Sequence, residues 1–162
     1  MTDALGVDVG GVLIVPTDRS EDTELFHARY LERPEMPGAI DALARLARER
    51  FGPRMFVVSK CGEATEARTR EWLFQHRFFD RTGITLDQVH FCRTREGKAP
   101  IAERLGLTHF VDDRLEVLSH LTTVPHRYLF QPSEAEIARF RTFLPAVHRV
   151  ESWSELAEAL TR

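Results

Sequence analysis

At 162 residues the chain is sized for one domain with a real core, and its 43% hydrophobic and 29% charged residues place it among globular rather than disordered or collagen-like proteins. A formal net charge of -3 removes any global basic field for nucleic acid, leaving only a local patch. No apolar run nears the ~18 residues of a membrane span, no basic leader opens the chain, and Cys61 and Cys92 form no CxxC or Cys/His cluster, so a cytoplasmic protein is expected.

The first predicted element is a short apolar strand, Leu5-Gly6-Val7, that runs into Asp8 and then into Val9-Gly10-Gly11. A buried strand delivers a carboxylate to its own end. The paired glycines let the backbone turn sharply and bring N–H groups toward an oxyanion such as phosphate. From Pro16 to Met36 the composition turns polar and acidic, and this stretch of 16–36 reads as a short excursion over the mouth of the strand. Pro37 opens a helix whose Ile40, Leu43, Leu46 and Ala47 share one face until Gly52-Pro53 ends it.

Met55-Phe56-Val57-Val58, ending in Ser59, has the continuous apolar pattern of a strand covered on both faces. Residues 62–77 read as a helix, followed by Phe78-Phe79-Asp80 and a turn at Gly83. Val89 to Cys92 is a third strand, and Lys98 to Leu105 a helix that Gly106 terminates. Thr108 to Val111 then repeats the logic of the first strand, running into Asp112-Asp113, with a helix predicted from Arg114 to Leu121.

Arg127 to Phe130 is a fifth strand, and Ala146-Val147-His148 a last edge strand. Ser133 with Glu136, and Ser152 with Glu155, are capping boxes that open the final two helices. Alternating strands and helices predict an α/β fold: a three-layer α/β/α sandwich on a mostly parallel, Rossmann-like sheet, in a single domain spanning 1–162. In such folds ligands bind beyond the carboxyl ends of the strands. Asp8, Ser59 and Asp112 would all stand at that rim.

Each of these residues has an ordinary structural use when taken singly. Ser59 and Asp113 can cap helices, and Lys98 can be a solvated cation. Together they supply a carboxylate nucleophile, a hydroxyl donor, a cation to offset phosphate charge, and acidic ligands for a hard metal ion.

In that order over roughly residues 5–121, the motifs resemble those of the haloacid dehalogenase-like (HAD) superfamily of phosphohydrolases. The resemblance implies that Asp8 in Val7-Asp8-Val9-Gly10-Gly11-Val12 is the nucleophile that forms an aspartyl-phosphate, with the Val9 carbonyl a metal ligand. It implies that Ser59 and Lys98 bind and activate the phosphoryl group beside the glycine turn of Gly10 and Gly11. It further implies that Asp112, with Asp113 as the second choice, holds Mg2+.

The pattern departs from the superfamily at one position, where Gly10 stands in place of a second aspartate two residues after the nucleophile. In most of its phosphatases that aspartate protonates the leaving oxygen and then activates water. Such assistance is typically worth about 10²–10⁴-fold in rate, so the expected function divides into a magnesium-dependent phosphohydrolase and a catalytically attenuated phosphate- and metal-binding or regulatory domain. Asp18, Glu21, Asp22, Glu24 and His27 are substitutes to consider for the missing group. His90, His109, Cys92, Trp72 and the Phe78-Phe79 pair read as packing residues, and Cys61 as an inert thiol near Ser59.

The gaps between motifs are too short for the cap domain that many members carry, so the resemblance implies a capless, open site. That suits a phosphorylated substrate, macromolecules included, or closure by a second subunit of a homo-oligomer. Arg68, Arg70, Arg77, Arg81, Arg93 and Arg95 are the candidate basic rim for a nucleic-acid end, against which the acidic net charge argues.

Overall fold

The computed structural model describes residues 2–16 and 29–162. Six strands, β1 (Leu5–Val7), β2 (Met55–Lys60), β3 (Val89–Cys92), β4 (His109–Asp112), β5 (His126–Phe130) and β6 (His148–Val150), form one sheet in the order β3-β2-β1-β4-β5-β6. All five pairings are parallel. The helices are α1 (Ala39–Leu46), α2 (Glu63–Gln75), α3 (Phe78–Thr82), α4 (Lys98–Leu105), α5 (Leu115–His120), α6 (Glu134–Arg139) and α7 (Trp153–Thr161).

Adjacent residues of a strand face opposite sides of the sheet, which is why these strands are apolar without alternation. Val57 and Val111 pack with α1, α2 and α7 on one face, while Val58 and Phe110 pack with α4 and α5 on the other. The outcome is the three-layer α/β/α sandwich expected. Gly6 lets the central strands close up, because a Cβ there would lie 2.7 Å from Cδ2 of Phe110 on the neighbouring strand.

Several local expectations are corrected. The helix predicted from Pro37 begins at Ala39, after Gly38 in the left-handed region at φ 78°, and its last stretch, Ala47–Phe51, widens into a π-helical turn. Phe78–Thr82 is a separate helix rather than an approach to a turn. The edge strand lies at His148–Val150, because Arg141–Ala146 is taken up by 3₁₀ turns and β6 registers on Tyr128 to Phe130. Ser133 and Ser152 do cap α6 and α7, accepting from the backbone N–H of Glu136 and Glu155.

Candidate active site

The strand order reverses between β1 and β4, so a crevice opens where their following connections diverge. The register pairs Val7 with Val111, which places Asp8 and Asp112 side by side at the same sheet edge. The Asp8 N–H donates to the Val111 carbonyl at 3.0 Å. Ser59 comes from β2 on the other flank of β1, and Lys98 is the first residue of α4.

Lys98 is 2% exposed, and its Nζ lies 2.9 Å from Asp8 Oδ1 and 2.7 Å from Asp112 Oδ2. Carboxylate oxygens of Asp8, Asp112 and Asp113 all lie within 4.8 Å of one another. Burial alone would lower the ammonium's pKa, but the charges of Asp112 and Asp8 outweigh it and raise the pKa above the ordinary lysine value. Burial and the neighbouring Asp8 push Asp112 up to about 6, against the pull of Lys98. Burial, followed by the charges of Asp8 and Asp112, pushes Asp113 up to about 10, and its carboxyl hydrogen-bonds Asp8.

One cation thus faces three carboxylates. This donor set fits a hard divalent ion such as Mg2+, which takes oxygen ligands and would supply the positive charge the cluster lacks. Asp8, Asp112 and Asp113 are the residues that would hold it.

The cluster opens into a cavity of about 360 Å³ whose walls include Asp8, Gly10, Ser59, Lys98, Asp112 and Asp113. Ser59 is buried there and shares a hydrogen bond with the Cys61 thiol, whose pKa burial nevertheless raises, leaving it a poor nucleophile. Val9 and Gly11 direct their backbone groups into the loop itself. The Val9 carbonyl is turned into the loop, accepting from the N–H groups of Val12, Leu13 and Ile14 at 3.1, 2.8 and 3.1 Å.

Gly11 donates its N–H to the Ile14 carbonyl at 2.9 Å and is therefore not presenting it to an anion. Its role is spatial. At φ 82° it lies against the Asp113 carboxylate, which occupies the space a Cβ would need. Among the described residues nothing lies within 4 Å of a Cβ added at Gly10, where the resemblance leads one to look for the second aspartate. Of the substitutes considered for that group, Asp18, Glu21, Asp22, Glu24 and His27 lie outside the described residues. His109 is buried at the opposite edge of the sheet, at the start of β4, and stacks on His126 at 4.5 Å.

The six arginines named as a candidate rim divide by place, since Arg95 alone among them lines the cavity. Arg68, Arg70, Arg77, Arg81, Arg93 and Arg95 are each ion-paired, with Glu71, Glu66, Asp80, Glu35 and Asp41, Glu66, and Glu116 respectively. Lys60 and Arg114, which directly follow Ser59 and Asp113, line the cavity as well, together with Arg33. Their signal in the sequence was adjacency to the motifs. Among the described residues, no helix is long and apolar enough to cross a membrane.

No protein-family model and no curated protein matches this chain. Among solved structures, it is similar to a protein from Mesorhizobium loti provisionally described as a HAD-like phosphatase, with a TM-score of 0.54 at 17% identity over 99% of this chain and 88% of that one. A de novo designed Rossmann 3x3 fold protein aligns at a TM-score of 0.43 and 11% identity, over 96% of this chain and 90% of the other. At 17% identity the first likeness is one of architecture, and it gives this chain a HAD-like fold.

Proposed function

We propose that this chain is a magnesium-dependent phosphohydrolase of the HAD type, acting in the cytoplasm through a capless site and an aspartyl-phosphate on Asp8. The observation that carries the reading is the buried Lys98 ammonium held between Asp8 and Asp112 with Asp113 alongside, a cation and metal-ligand pair built around a carboxylate that opens to a cavity. An Asp8 oxygen attacks phosphorus in line and the ester P–O bond breaks, its electron pair leaving with the alcohol oxygen. Water then attacks the phosphorus, returning the Asp8 carboxylate and releasing inorganic phosphate. Lys98 offsets the developing charge and Ser59 orients the phosphoryl oxygens. A bound magnesium ion would supply further charge stabilisation for the same oxygens.

With Gly10 next to this nucleophile, the leaving oxygen receives no proton from that position. Substrates whose leaving groups are stable as anions, such as aryl phosphates, should therefore turn over faster than alkyl phosphates. The test is phosphate release from a panel of both kinds, with and without magnesium, alongside Asp8→Asn. Metal-dependent turnover that Asp8→Asn abolishes supports the reading; turnover that survives the substitution overturns it.

The same Gly10 favours a second reading, an attenuated domain that binds phosphate and metal without turnover. A wild-type chain that binds magnesium but hydrolyses no ester, while Gly10→Asp gains phosphatase activity, would select it over the first.

A further inference from the structure

The cavity at Asp8 does not end at the carboxylate cluster. A second recess of about 350 Å³ adjoins it, and the two share Pro16, Asp113 and Arg114 in their walls. Beyond Arg114 the second recess is lined by Gln131, Ser133 and Glu136. Together the two spaces are of a size that suits a small molecule rather than a polymer.

Arg114 stands at the junction on a fixed backbone. Its N–H donates to Asp112 Oδ1 at 2.9 Å, and it caps α5 in an extended conformation. Its guanidinium makes no ion pair among the described residues, unlike the six arginines named above and unlike Arg95 on the same cavity wall, which pairs with Glu116. Glu136 also lines the second recess, and its carboxylate accepts from the Glu116 N–H at 3.1 Å. An anion in that recess is attracted by Arg114, which the recess shares with the first cavity, and repelled by Glu136.

We propose that Arg114 reads a second anionic group on the substrate, so that the site takes a compact phosphate ester whose leaving group carries a further carboxylate or phosphate. The planar guanidinium suits two-point capture of either oxyanion. The inference rests on the reading of the Asp8 cluster as a phosphate and metal site. Lys60, on the β2 side of the cavity and likewise without an ion pair among the described residues, is the competing cation.

Calorimetric titration with three hydrolysis-inert probes tests it: methylphosphonate, phosphonoacetate and methylenebisphosphonate, at constant free magnesium. Turnover is not required. At least one doubly anionic probe should bind about tenfold or more tighter than methylphosphonate, as expected of a charge-assisted hydrogen-bonded contact, and the winner identifies the second group as carboxylate or phosphate. Arg114→Gln should collapse that preference to within about twofold and Arg114→Lys should retain part of it, while Lys60→Gln should leave it in place. Equal affinity for all three probes, or a preference that survives Arg114→Gln and falls with Lys60→Gln, overturns the assignment. Failure of methylphosphonate and magnesium to bind at all is a separate result, which sinks the phosphate-site reading itself.

Discussion

The Lys98 ammonium lies 2.7 Å from the Asp112 carboxylate, and both side chains are almost completely withdrawn from solvent. Breaking a buried pair by removing one partner typically costs about 3–5 kcal/mol, because the remaining charge is left uncompensated. Lys98→Met should therefore lower the unfolding free energy of the metal-free protein by an amount in that range. It should also reduce metal-dependent turnover by about 10²-fold or more, since the charge that opposes the phosphoryl group is gone. Chemical denaturation in a chelator and steady-state kinetics in magnesium check the two effects separately.

Gly10→Asp should fit without displacing a described neighbour, since none of the described residues outside its chain neighbours has an atom within 4 Å of the added Cβ. If the carboxylate reaches the leaving oxygen, alkyl phosphates should gain about 10²-fold in kcat/KM and aryl phosphates much less, as general acid assistance helps the poorer leaving group most. A uniform change across both substrate types would show that the new side chain acts by another route.

Magnesium binding should release close to one proton near pH 8. In the metal-free site burial and the charges of Asp8 and Asp112 hold the Asp113 carboxyl neutral up to about pH 10, and a coordinated carboxylate must be ionised. Repeating the magnesium titration in buffers of different ionisation enthalpy counts the protons. Asp113→Asn should remove most of the release; a proton count that the substitution leaves intact assigns it to another group.

His109 predicts a loss of stability on mild acidification. Burial first, then the charges of Arg50 and His126, depress its pKa from the ordinary 6.5 to about 4, while Thr108 Oγ1 lies 2.8 Å from its Nδ1 and Arg50 Nη2 3.3 Å from its Nε2. Because the folded pKa is the lower one, the unfolded chain takes up the proton first as pH falls. The stabilising contribution is complete above about pH 6.5 and declines toward pH 4, by at most about 1.4 kcal/mol per pH unit. Urea midpoints at pH 7 and pH 5 should differ less in His109→Gln than in the wild type.

The parts of this site that were legible in the sequence are those that local chemistry dictates. An apolar run ending in a carboxylate marks Asp8 and Asp112, and a parallel sheet must bring two such ends together wherever their strands pair. Where the carbonyls of Val9-Gly10-Gly11 turn depends on the dihedrals of the whole loop, so the three N–H groups gathered on Val9 could not be read from the sequence. The carboxylate partners of the six arginines, some of them on other elements, appear only in the folded chain. The short helix Phe78–Thr82 begins after Arg77 in the left-handed region at φ 57°, a conformation that an arginine gives no reason to expect.

The indole N–H of Trp153 donates to the Val12 carbonyl at 2.7 Å, across a sequence separation of 141 residues. That latch makes the turn after Asp8 and helix α7 one cooperative unit, so amides of residues 12–14 should exchange with deuterium no faster than those of the helix that clasps them. A lesion at Trp153 would then loosen the turn that follows Asp8 before it unfolded the sheet.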